Sequence, residues 1–221
     1  MAFALHLETS TTVCSVAISN KDTLISLKEI NDGFRHAEIL TPFIEELLAE
    51  NSLGLNNLNF ISLSIGPGSY TGLRIGASVA KGLSYALKIP IVGVDSLRVI
   101  AEVVKQNKEL NFDFIIPMID ARRMEVYHSV FDLNLNRLVS IESHILTNQS
   151  YLEFLNQGRC LFVGNSNTKA QQVISHSNAF FKEILSSSTG LIKPASQLYM
   201  DKKFLDTVRF EPLYLKQFGE K

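Results

Sequence analysis

The 221 residues are 46% hydrophobic and 19% charged without charge blocks, which gives enough apolar surface to offset ordering entropy and room for two lobes of ~100 residues each. Lys and Arg total 21 against 22 Asp and Glu, a formal charge of −1, so the summed field exerts no general pull on a polyanion, and an RNA substrate would have to be held by another chain. The opening Met1-Ala2-Phe3-Ala4-Leu5-His6-Leu7-Glu8 has no basic run and meets a carboxylate too early for a secretory signal or a membrane span, so a cytoplasmic protein with no membrane contact is expected.

In chain order, Ala4 to Leu7, Val13 to Ile18 and Thr23 to Lys28 read as three strands, closed by a turn at Asn31-Asp32-Gly33. His36 to Glu50 carries Ile39, Leu40, Phe43, Ile44, Leu47 and Leu48 at helical spacing, and Pro42 either kinks this helix or opens its main part behind Thr41. Phe60 to Ile65 is a buried strand, Leu73 to Leu87 a helix and Ile91 to Val94 another strand. Asp95 or Ser96 then caps a helix running to about Lys105. Strand-helix-strand alternation implies a parallel segment of sheet.

The second half repeats the programme. Phe114 to Ile119, Glu125 to Phe131 and Leu138 to Ile145 are strands. Tyr151 to Asn156, Thr168 to Ser175 and Ser196 to Val208 are helical, around a strand at Cys160 to Val163. Leu7-Glu8 and Ile119-Asp120 echo each other as strand, acid, turn, strand. The pattern predicts an α/β, two-lobed actin-like (ASKHA, ribonuclease-H-like) fold built from a duplicated βββαβα unit, with lobes 1–107 and 108–221.

Gly66-Pro67-Gly68-Ser69-Tyr70-Thr71-Gly72 joins a strand to a helix, where backbone N–H groups at Gly66, Gly68 and Ser69 could cradle an anion. It fits neither a Walker A loop nor G-x-G-x-x-G, and a tight turn that needs glycine is the preferred reading. Gly72, Gly76, Ala80 and Ser84 recur every four residues and leave a shallow stripe, to be met by a helix of the same lobe or of a partner. Glu8 and Asp120 could serve as acid/base or metal-positioning groups across a cleft, or cap turns; turn capping is preferred. Arg122 and Arg123 beside Asp120 could bind phosphate, but a solvated turn is the preferred reading. The five histidines include no i,i+3 or i,i+4 pair, and Cys14 and Cys160 have no Cys-x-x-Cys spacing, so no metal site is expected and both cysteines are read as buried hydrophobes.

Leu7-Glu8-Thr9-Ser10-Thr11 through Cys14-Ser15-Val16-Ala17, then His36-Ala37-Glu38-Ile39-Leu40, then Gly66 through Gly76 resemble the TsaB (YeaZ) family. Pro90 to Leu97 and Ile119 to Tyr127 extend the likeness, which is dense in the first half and sparse in the second. Glu8 stands where the family more often has Asp. The same stretch is similar to the catalytic TsaD family, whose metal-binding His-x-x-x-His follows the Val-Gly-Val strand. Here those positions are Ser96 and Ile100, a poor ligand and a non-ligand. The resemblance therefore implies a non-catalytic subunit without the metal site. It would work with a TsaD-like catalytic paralogue and a TsaE-like ATPase to install threonylcarbamoyl on the tRNA adenosine beside the anticodon.

By the same resemblance this chain alone binds no cofactor. ATP and metal are expected on the partner subunits, tRNA is reached only through the complex, and self-association through the first lobe's helices is expected as an option. The partner-binding residues expected are His36, Ile39, Leu40, Phe43, Gly72, Gly76 and Ala80. The alternative is an actin-like small-molecule kinase or ATPase, for which only Glu8, Asp120 and one poor glycine loop are available. A glycoprotease lacks identifiable machinery.

Overall fold

A computed structural model describes residues 2–33, 35–107 and 111–216. The chain forms two compact units, one of residues up to Val99 together with the chain from Ser186 onward, the other from Ile100 to Leu185. The boundary expected at 107/108 borders residues 108–110, which lie outside the described residues.

The first unit opens with β1 (Phe3–Glu8), β2 (Val13–Asn20) and β3 (Thr23–Asn31), followed by α1 (His36–Glu50), β4 (Leu58–Ser64), α2 (Tyr70–Leu87), β5 (Ile91–Val94) and the start of α3 (Ser96–Gln106). The strands order as β3-β2-β1-β4-β5; β1 runs antiparallel to β2 and parallel to β4, which is parallel to β5. The second unit holds β6 (Phe114–Asp120), β7 (Glu125–Asp132), β8 (Arg137–Ile145), α4 (Leu152–Leu155), β9 (Cys160–Gly164), α5 (Asn167–Gln171) and β10 (Ala179–Lys182). Its order, β10-β9-β6-β7-β8, is the same winding. Both units are thus βββαβα followed by a last parallel strand, and the fold is actin-like, as the duplicated pattern implied.

Alternation along β1 explains how the first sheet is covered on both sides. Leu5 and Leu7 join Val16, Ile18, Ile61, Leu63 and Ile91 in an apolar core with Leu40, Ile44 and Leu47 of α1 and Ala77 and Ala80 of α2. The opposite face carries Ala4, His6 and Glu8, with Ser62 and Ser64 beside them on β4, and all five are buried. Pro42 lies within α1 on its exposed side, so the helix neither begins nor ends there. Asp95 accepts from the Arg98 N–H at 2.9 Å and caps α3.

Three expectations need correction. The chain from Ser186 does not belong with the second lobe. Ser186, Ser187 and Ser188 hydrogen-bond onto the first sheet, and α6 (Ile192–Met200) lays Leu191, Ala195 and Tyr199 over Ala4, Phe60 and Val92. Tyr199 stacks on Phe60 with ring centroids 4.3 Å apart. The helix expected over Ser196 to Val208 starts earlier and stops at Met200, because Lys202 turns left-handed (φ 54) and Leu205 pairs with Ile91. Finally, β10 has no counterpart in the expected elements: four half-exposed residues carry no period to read.

Candidate functional site

Glu8 ends β1 and is fully buried. Its Oε1 accepts from the Ser10 N–H (2.7 Å) and from the Ser10 hydroxyl (2.6 Å), while Oε2 has no hydrogen-bond partner. Burial raises its pKa; the Ser10 bonds and the nearby Ser64 and Ser186 hydroxyls pull the other way but do not prevail. The cover is the returning chain. Ser186 Oγ lies 2.8 Å from Thr11 Oγ1, Ser187 donates to Glu29 Oε2 at 2.7 Å, and Ser188 Oγ lies 2.7 Å from Ser15 Oγ. Two residues upstream, His6 spans Ser62 (Nδ1, 2.6 Å) and Ser19 (Nε2, 2.7 Å), and burial lowers its pKa to about 3. The three covering serines escaped the sequence reading because hydroxyls outside any periodic element announce nothing until the chain returns.

The glycine loop is a close-approach device. A Cβ at Gly66 (φ +111) would lie 2.5 Å from the Leu213 carbonyl oxygen, and one at Gly68 would collide with the Ser10 carbonyl. Ser69 donates its N–H to Ser10 O at 2.7 Å, and its hydroxyl caps α2 by accepting from the Gly72 N–H at 3.2 Å. Gly66 is buried and the Ser69 N–H is already engaged, so the tight-turn reading describes this loop.

The small-residue row faces inward. Gly72 would carry its Cβ into the Thr9 carbonyl and the His36 ring, Gly76 would carry its into Thr9 Oγ1, and Ala80 is 0% exposed. Thr9 donates to Gly72 O at 2.8 Å, and His36 and Leu40 are buried in the same contact. The stripe therefore lets α2 approach the β1–β2 turn and α1 of its own unit. This corrects the expectation that Gly72, Gly76, Ala80, His36 and Leu40 present themselves to a partner. Ile39 and Phe43 on α1, and Ile75, Val79, Leu83 and Leu87 on α2, are half-buried apolar residues of this helix pair.

In the second unit Asp120 repeats the geometry of Glu8. It ends β6 and accepts from the N–H two residues on, that of Arg122, at 2.6 Å. Unlike Glu8 its side chain is 46% exposed, and it sits 3.3 Å from the Lys169 ammonium. Ser96 and Ile100 are buried at 0% and 1%. Among the described residues no three His, Cys, Asp or Glu side chains gather as metal ligands, and no helix is long and apolar enough to cross a membrane.

Two five-stranded sheets of identical winding, each with an acid closing its first strand, define an actin-like protein. Solved structures share the fold: YeaZ from Pseudomonas aeruginosa matches with a TM-score of 0.86 at 23% identity, over 97% of this chain and 100% of that one. The ADPNP-bound activator of the 2-hydroxyisocaproyl-CoA dehydratase from Clostridium difficile matches with a TM-score of 0.51 at 11% identity, over 91% and 96%. The family model described as TsaD, tRNA N6-adenosine threonylcarbamoyltransferase, matches residues 33–187. The tRNA threonylcarbamoyladenosine biosynthesis protein TsaB of Bacillus subtilis is 31% identical over 77% of this chain and 74% of its own length. That of Haemophilus influenzae is 26% identical over 96% and 92%. The chain belongs to the TsaB (YeaZ) family of tRNA threonylcarbamoyladenosine biosynthesis, within the wider family that the TsaD model describes.

Proposed function

We propose that this chain is a non-catalytic subunit of the tRNA threonylcarbamoylation machinery. It supports a TsaD-like catalytic paralogue and a TsaE-like ATPase in the cytoplasm while itself binding neither ATP nor metal. The observation that carries this reading is the fate of Glu8: the carboxyl that closes the first strand is sealed under Ser186–Ser188, and burial raises its pKa. A carboxyl buried away from solvent is badly placed to hold a cation or to move a proton to substrate.

Association with the paralogue is assigned to the outer face of α1 and α2, through Ile39 and Phe43 together with Ile75, Val79 and Leu83. The same face suits self-association. An apolar surface flanked by charged residues such as Glu38, Glu45 and Glu46 is the composition that protein interfaces favour. Reconstitution tests the reading: the chain alone is expected to transfer no threonylcarbamoyl and to retain no stoichiometric iron or zinc after dialysis. It is also expected to co-purify with the paralogue and raise the paralogue's turnover on tRNA. Transfer by the isolated chain, or full activity of the partners without it, would overturn the proposal.

A further inference from the structure

The β6–β7 connection is built at a conformational cost that a plain turn would avoid. Arg122 (φ 71) and Arg123 (φ 47) are consecutive non-glycine residues in the left-handed region, where Asn and Gly are the comfortable occupants. The turn is heavily braced: Ala121 N–H donates to Glu125 O at 3.1 Å, Glu125 N–H to Arg122 O at 3.0 Å, and Arg122 N–H to Asp120 Oδ1. Asp120 N–H donates in turn to Asn165 Oδ1 at 2.9 Å. The Lys169 ammonium is spent entirely on the same turn, donating to Arg123 O and Glu125 O and pairing with Asp120. Yet the two guanidiniums that this framework carries are exposed and have no partner among the described residues. Two residues beyond β9, just before α5, the Ser166 hydroxyl is buried without a partner. Strain persists where the surroundings over-determine it, and here it holds two planar, always-charged donor forks on a rigid base at the C-terminal edge of the parallel strands β6 and β9.

We infer that Arg122 and Arg123 form a phosphate-contacting tip that engages the sugar-phosphate backbone of the tRNA when this subunit is assembled. The inference rests on the proposed role in a tRNA-modifying complex. A chain of net charge −1 has no general attraction for RNA, so two preorganised arginines are the kind of local contact that orients a polyanion held mainly by another subunit.

The test compares wild type with Arg122→Asn/Arg123→Gly, which relieves the backbone strain, and with Arg122→Lys/Arg123→Lys, which keeps the charge. Assembly with the catalytic paralogue is measured first by co-purification, and unmodified tRNA is then titrated onto each complex across a series of salt concentrations. The Asn/Gly variant is expected to melt roughly 2–4 °C higher and to assemble normally. It should bind tRNA about tenfold more weakly at low salt, with the slope of log affinity against log salt reduced by about 2. The Lys variant should keep the slope. Unchanged tRNA affinity and slope in a normally assembled Asn/Gly complex overturns the inference. So does weakened assembly, which would assign the arginines to a protein carboxylate. If even wild type does not assemble, the proposed function fails and the inference, which rests on assembly, fails with it; normal assembly with unchanged tRNA binding fails the inference alone.

Discussion

Acidification should destabilise the first unit through His6, by an amount its burial fixes. The ring is fully buried between Ser62 and Ser19, with its edge toward Phe60, and its pKa is lowered from 6.5 to about 3 by desolvation. Because the folded value lies below the unfolded one, the unfolded chain takes up a proton first. The neutral ring's contribution is therefore complete above about pH 6.5 and is lost as pH falls from there toward 3. At pH 5 the loss is about 2 kcal/mol, from 1.36 kcal/mol per unit over roughly 1.5 units. Cys14, 1% exposed in the same unit, offers a local probe: in a Cys160→Ser background, an acid-competent disulfide reagent labels Cys14 only when this sheet opens. Denaturant titrations at pH 7.5 and 5 on that background and its His6→Gln derivative isolate the residue from the other histidines. The variant starts less stable, having lost two hydrogen bonds, but its deficit should shrink by about 2 kcal/mol at pH 5. A deficit that is the same at both values would refute the burial argument.

Glu8→Gln keeps an acceptor for Ser10 and removes the ionisable group. Since burial raises the Glu8 pKa above its unfolded 4.5, wild type loses stability as pH rises past that value. The variant should therefore gain on wild type as pH rises above 4.5 and show no advantage below about pH 4, as read by thermal melts. Ala80→Arg would force a guanidinium into a site with 0% exposure; a loss of more than about 4 kcal/mol, seen as collapse of the thermal transition, is expected. Phe43→Asp lies on the half-buried face of α1 and should cost roughly 1–2 kcal/mol of stability while lowering affinity for the paralogue at least tenfold by calorimetry. Normal binding by a folded Phe43→Asp would move the interface elsewhere.

Periodicity carried most of the architecture. Ile39, Leu40, Phe43, Ile44, Leu47 and Leu48 mark a single helical face, and α1 spans the residues that their spacing indicates. The first-half strands and the parallel order followed from apolar runs alternating with helices. What could not be read was what covers what. The Gly72-Gly76-Ala80 row signals close approach without naming the approaching surface, and that surface proved to be Thr9 and α1 of the same unit. The second half was harder because its elements are short: α4 has four residues, α5 five and β10 four. So few residues contain barely one helical turn or two strand repeats.

The duplicated units place one strand-end geometry in two different surroundings. Glu8 and Asp120 occupy equivalent strand ends, and each accepts the N–H two residues downstream, so the turn-forming role survives in both copies. They differ in what lies above them. Over Glu8 the returning chain lays three hydroxyl-bearing residues, whose small polar side chains can bond to Thr11, Glu29 and Ser15 at 2.7–2.8 Å while excluding solvent. Sealing raises the acid's pKa without disturbing the backbone that positions it. Over Asp120 no such cover forms among the described residues; Lys169 pairs with the exposed carboxylate, and the turn carries two exposed arginines. The two strand ends thus differ in the residues that surround them and not in the strands themselves, which is why two sheets of the same winding can hold a buried acid in one unit and a solvent-facing charged turn in the other.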